Sequence, residues 1–100
     1  MADALPADAV AKLRARYAIR LTATTNELAQ LCQVPVSEAV DMAIVHLVHQ
    51  ISGSAASFGH PNLSALARSV EGIWTDEQDS TKLRDGARAI VAMINTATSL

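Results

Sequence analysis

The side chains best suited to chemistry in this 100-residue sequence are three histidines, His46, His49 and His60, one cysteine, Cys32, and the glutamate Glu71. An imidazole has an ordinary pKa of about 6.5, so near pH 7 it is largely neutral and offers a ring nitrogen as a nucleophile or a metal ligand. His46 and His49 form H-x-x-H, a spacing that can set two metal ligands on one helical face. A closed site needs further ligands, and neither Cys32 nor His60 stands at a motif-like spacing from the pair. The second chemistry is nucleophilic. If one ring nitrogen of His49 donates its N–H to a carboxylate, the tautomer is fixed and the other nitrogen's lone pair faces outward. Gly53, one turn after His49, bears on this, because glycine inside a helix costs about 1 kcal/mol against alanine and so needs a compensating reason. It removes bulk beside the imidazole and lets another protein approach. The plain alternative for Glu71 is a solvated carboxylate paired with Arg68, a contact of a few tenths of a kcal/mol (about 0.2–0.5).

These side chains must be held by secondary structure, and the punctuation is clear. The chain breaks at Pro6, Pro35 and Pro61 and at the polar stretch around Ser80, which leaves four helix-sized segments. In the first, Val10, Leu13, Tyr17, Leu21, Thr24, Leu28 and Leu31 recur at three- and four-residue steps, the stripe of one long amphipathic helix. The second opens on Ser37 as N-cap, with Glu38 in its first turn, and carries Val40, Ile44, Leu47, Ile51, Ala55 and Phe58. The third follows Pro61 with Leu63, Leu66, Val70 and Trp74. The fourth, capped by Asp79 or Ser80, shows Leu83, Ala87, Ile90, Ile94 and Ala97. No segment alternates like a half-buried strand, and the connections are short. The expectation is an all-α fold, an up-and-down antiparallel four-helix bundle, with residues 1–100 as one domain.

On the second helix, at about 100° per residue, His49 lies roughly 160° from the centre of the apolar stripe and therefore faces solvent. Its neighbours on that outer face are Met42, Val45, Gly53 and Ala56, with Glu38 and Ser52 at the edges. A weakly polar second face on a helix whose first face already fills the core is a candidate docking surface. The run from His49 to Gly59, followed by Leu63, Leu66 and Glu71, resembles the signature of histidine phosphotransfer (HPt) domains, the family that includes the phosphoacceptor domain of chemotaxis-type histidine kinases. Its motif is a histidine, an apolar residue two later, a lysine three later and a glycine four later, then small residues, an apolar-Gly pair and a leucine-rich helix ending in Glu or Gln. Here Ile51 takes the apolar position, Gly53 the glycine and Phe58-Gly59 the turn. Ser52 stands where the family usually has lysine.

The resemblance implies that His49 is a phosphoacceptor, that Glu71 orients its imidazole, and that Met42, Val45, Ser52, Gly53, Ala56 and Arg68 meet the partner. It implies a phosphorelay intermediate that exchanges a phosphoryl group with a histidine kinase or a response-regulator receiver domain, or an adaptor that binds those domains without transfer. Arg68 is the candidate for the charge that Ser52 does not supply. The chain has no GxxxxGK[ST] loop and no Gly-rich lid, so the expectation is a carrier with no ATP site or cofactor of its own, the Mg²⁺ belonging to the receiver.

Composition narrows the classes further. Eight Lys and Arg against ten Asp and Glu give a net charge of −2 without a basic run, which argues against nucleic acid. A single cysteine cannot close an internal disulfide and fits a reducing compartment. The start is no secretory signal, and the longest apolar stretch, Ala43–Val48, is too short to span a bilayer. The expectation is a free-standing cytoplasmic monomer. Between Arg20 and Arg68 there is no Lys or Arg, and all three histidines fall in that gap.

Overall fold

The computed structural model describes residues 6–98, which form four helices joined by short turns. Helix α1 runs Ala7–Leu31, α2 Glu38–Ser54, α3 Pro61–Glu77 and α4 Ser80–Thr98, with a single 3₁₀ turn at Ala56–Phe58. Local chemistry sets the boundaries. The Ser37 side chain accepts the Val40 N–H at 3.2 Å and caps α2. Pro61 occupies the first position of α3, where a missing N–H costs nothing. Asp79 is the cap of α4, accepting the backbone N–H groups of Thr81 and Lys82 at 2.9 and 3.1 Å. Gly59 has φ +92°, a left-handed conformation that suits glycine, and it turns the chain from α2 toward α3.

Side-chain contacts show how the helices run. His49 and Ser52 on α2 meet Glu71 and Ser64 on α3, so the two are antiparallel. Cys32 at the end of α1 meets Arg84 and Arg88 near the start of α4, which makes that pair antiparallel too. The result is the up-and-down four-helix bundle that the stripes predict. Its centre holds Tyr17, Leu21 and Leu28 from α1, Ile44, Leu47, Val48 and Ile51 from α2, Leu63 and Val70 from α3, and Leu83, Ile90 and Ile94 from α4. At Gly86 a β-carbon would lie 2.6 Å from a Val70 methyl, so glycine there permits the close α3–α4 approach.

Three details of the stripes are corrected. On α1 it is Thr25 that is buried, its hydroxyl satisfied by the Leu21 carbonyl at 2.8 Å, while Thr24 is half-buried. Leu13 is exposed, and no residue from 7 to 16 is buried, because packing against the bundle begins at Tyr17. On α2 the stripe also includes Val48, fully buried, and Asp41, so the buried face is centred closer to α3 than the periodicity suggests. Ala97 lies outside the residues whose side chains are described.

Asp41 is buried with a partner. Arg84 from α4 donates to its Oδ1 at 2.8 Å and the Ser80 hydroxyl to its Oδ2 at 2.5 Å. A lone buried carboxylate is prohibitively costly, and this pairing is what admits it. At the other end of α2, the Tyr17 hydroxyl meets Ser54 Oγ at 2.9 Å and its ring stacks on Phe58 with centroids 4.2 Å apart. Phe58 therefore contributes through the turn after α2, where it is half-buried.

Candidate functional site

Midway between those two fixtures α2 presents His49, with 72% of its side chain exposed. Its Nδ1 lies 2.6 Å from Glu71 Oε2 across the α2–α3 seam. A carboxylate accepts, so Nδ1 is the donor and the ring is held as the Nδ1–H tautomer, leaving the Nε2 lone pair on the outer side. The local reason is geometric. His49 sits at the α3 edge of the exposed face of α2, and Glu71 sits at a boundary position of α3, one residue from the buried Val70. Burial pushes the Glu71 carboxyl up, but the Ser52 hydroxyl, the His49 ring and the Arg68 guanidinium outweigh it and hold it below its ordinary value. The carboxylate is therefore ionised and available as an acceptor throughout the neutral range.

The remaining predicted site residues divide. Met42, Gly53, Ala56 and Arg68 are exposed, and a β-carbon at Gly53 would meet no atom within 4 Å. The chain's own packing thus gives no reason for glycine there. Val45 is half-buried and packs partly on the core, so it contributes only an edge to the outer face. Ser52 is not on that face at all. It is 6% exposed, because the burial of Asp41 and Val48 turns this side of α2 into the seam with α3. Its hydroxyl donates to the His49 carbonyl at 2.8 Å, and its own carbonyl accepts from the Ser64 hydroxyl at 2.7 Å.

His46, one turn before His49, is exposed, and its Nε2 lies 3.1 Å from Gln50 Nε2, which donates to it. Among the described residues no three His, Cys, Asp or Glu side chains gather as a metal site. His60 precedes α3 and is half-buried near the Tyr17 ring. Cys32 is buried, and burial pushes its thiol up from the ordinary value, against the pull of Arg88 and Arg84.

Sequence reasoning missed a shallow pocket of about 360 Å³ between the start of α2 and the end of α3, lined by Val36, Met42, Trp74 and Gln78 among others. The signal was available in the exposed apolar side chains Val36 and Met42, which no core stripe needs. A larger apolar groove, about 630 Å³, lies at the opposite end, between the start of α3 and the last turns of α4. No helix of the described residues is long and apolar enough to cross a membrane.

An exposed imidazole with one nitrogen locked on a carboxylate from the next helix can act as a nucleophile through the other. No curated protein and no solved structure matches the chain. A sequence model of the Hpt domain matches residues 12–99. The chain belongs to the Hpt domain family, whose members are phosphotransfer modules of two-component systems.

Proposed function

We propose that this protein is a phosphorelay intermediate that carries a phosphoryl group on Nε2 of His49. The observation that carries the reading is the His49–Glu71 contact, which commits Nδ1 and leaves Nε2 at the surface. In the transfer from an aspartyl phosphate, Nε2 supplies the electron pair for the new N–P bond. The P–O bond to the acyl group breaks, and the aspartate carboxylate leaves with its pair. The ring keeps its Nδ1 proton, and the positive charge it gains rests against Glu71. Passage to a receiver aspartate is the reverse of this step, with Mg²⁺ on the receiver neutralising the transferred group. The protein brings no ATP site, metal or cofactor and acts as a cytoplasmic monomer of one domain. Met42, Gly53 and Ala56 form the contact face, Val45 its edge, and Arg68 adds positive charge from α3.

Incubation with a phosphorylated receiver domain or an active histidine kinase tests this. Acid-labile label is expected on the wild type and on His46→Gln, and absent from His49→Gln. Label retained by His49→Gln would overturn the assignment. A second reading, a receiver- or kinase-binding adaptor without transfer, is favoured by Ser52, which places no cation beside His49. Stable binding with no label on any histidine would establish it.

A further inference from the structure

Helix α1 is longer than the bundle around it. Ser54, the last residue of α2, meets the Tyr17 hydroxyl at 2.9 Å, so α2 ends level with Tyr17. At the other end of α1, Cys32 meets Arg84 and Arg88, and at about 1.5 Å per residue the antiparallel α4 reaches Thr98 level with about Arg20. Residues 7–16 therefore project past both neighbours as about 15 Å of helix, and the molecule is 49 Å long against 25 and 21 Å across. The apolar line continues where the cover stops. Val10 and Leu13 extend the buried row of Tyr17, Leu21 and Leu28, although Val10 is half-buried and Leu13 is 41% exposed. Arginines flank that seam, Arg14 on one side and Arg16 on the other, and Lys12 and Arg20 stand within about a turn of them. Half of the chain's eight Lys and Arg lie between positions 12 and 20, and Asp8 is the only acid from 7 to 26. None of these four cations is in an ion pair among the described residues.

We propose that these projecting turns dock an amphipathic helix of a partner protein, one whose apolar stripe is flanked by Asp and Glu. Val10, Leu13 and Tyr17 are spaced as the a, d and a positions of a heptad, the seam into which a second helix packs, and the first two are open to it. Arg14 and Arg16 then occupy the e and g positions, where charge decides which helix is accepted. Two arginines without partners on those flanks favour carboxylates opposite them and repel cations. A second copy of this chain is a poor occupant of the seam, because it would bring Arg14 and Arg16 against the same two arginines. A lipid surface is disfavoured for another reason: its hold on a helix grows with apolar area, and Val10 and Leu13 offer little. The seam shares no residue with the His49 face, so the proposal stands apart from the phosphotransfer reading.

The probe is a synthetic helix with Leu at a and d and Glu at e and g, titrated into the full chain by calorimetry beside the same peptide carrying Lys at e and g. Wild type is expected to bind the Glu peptide at least about tenfold more tightly than the Lys peptide, and less tightly as salt rises. The double variant Arg14→Glu with Arg16→Glu reverses that preference. Leu13→Ala weakens binding of the Glu peptide about tenfold, the scale of one buried leucine, and leaves the melting temperature unchanged because Leu13 lies outside the core. His49→Gln binds the peptide as wild type does, which keeps this result separate from any failure of the phosphotransfer reading. Equal affinity for the two peptides, or a Leu13→Ala variant that binds as tightly as wild type, would overturn the proposal. So would a dimer of the free chain in sedimentation that Leu13→Ala dissolves, which assigns the seam to a second copy. Binding to phosphatidylserine vesicles that Leu13→Ala abolishes would overturn it in favour of a lipid surface.

Discussion

Helix α2 carries two charged contacts to its neighbours that look alike on paper and differ in kind. Near its start, Asp41 meets Arg84 at 2.8 Å with both side chains under a tenth exposed. Farther along, His49 meets Glu71 at 2.6 Å, with 72% of the one and 26% of the other in solvent. In the first, the surroundings leave the charges nowhere else to go, and removing either partner strands the other in the interior. In the second, water can replace either partner, so the contact orients a ring without bearing the fold. The difference teaches that burial, more than the identity of the acid and base, separates a fixture from a working group. The chain places the fixture at the helix end and keeps its middle free.

That contrast can be broken by mutation, and the largest effect is expected at the buried pair. Asp41→Ala should cost about 3–5 kcal/mol in chemical denaturation, the scale for stranding a buried charge. The double replacement Asp41→Leu with Arg84→Met should recover most of it, because Arg84 also buries an Nη2 with no hydrogen-bond partner among the described residues. A large loss persisting in the double variant would show that the pair contributes more than mutual neutralisation. Next comes Gly86→Ala, expected to cost about 1–3 kcal/mol by overpacking against Val70. Gly53→Ala, open on all sides, should leave the melting temperature unchanged or slightly raised while weakening receiver binding. Glu71→Gln should lower stability only modestly, by under about 1 kcal/mol at pH 7.

The last of these has a pH signature. The Glu71 carboxyl is held below its unfolded value in the native state, so its contribution is present above the ordinary carboxylate range, near pH 4.3, and is lost as pH falls through the lowered value. Stabilities of wild type and Glu71→Gln should therefore converge in acid. A gap that widens there would mean the sign is wrong.

How much of this was legible in the residues follows from what each signal measures. Apolar periodicity reports which face of a helix is buried, and it located four helices and their antiparallel order. It does not report where a helix stops being covered, which is why Leu13 continues the stripe of α1 yet lies exposed. Charged side chains are read as solvated, so Asp41 gave no warning that its partner stands 43 residues away. Leaving Asp41 and Val48 out of the buried face then put Ser52 on the docking surface, although it belongs in the seam. The His49–Glu71 contact was expected because the family resemblance assigned Glu71 to orient the His49 ring.

The stack of Tyr17 on Phe58, with the hydroxyl contact to Ser54, anchors α2 just beyond His49, as the Asp41–Arg84 pair anchors it just before. A helix clamped on both sides of the residue proposed to react is held against bending or a shift of register when a phosphate arrives. If His49 carries the phosphoryl group as proposed, the message resides in occupancy and charge at one ring nitrogen, read by whichever surface docks next. On the proposed reading its own outline would be the same before and after, and it would behave as a courier whose parcel changes while its gait does not.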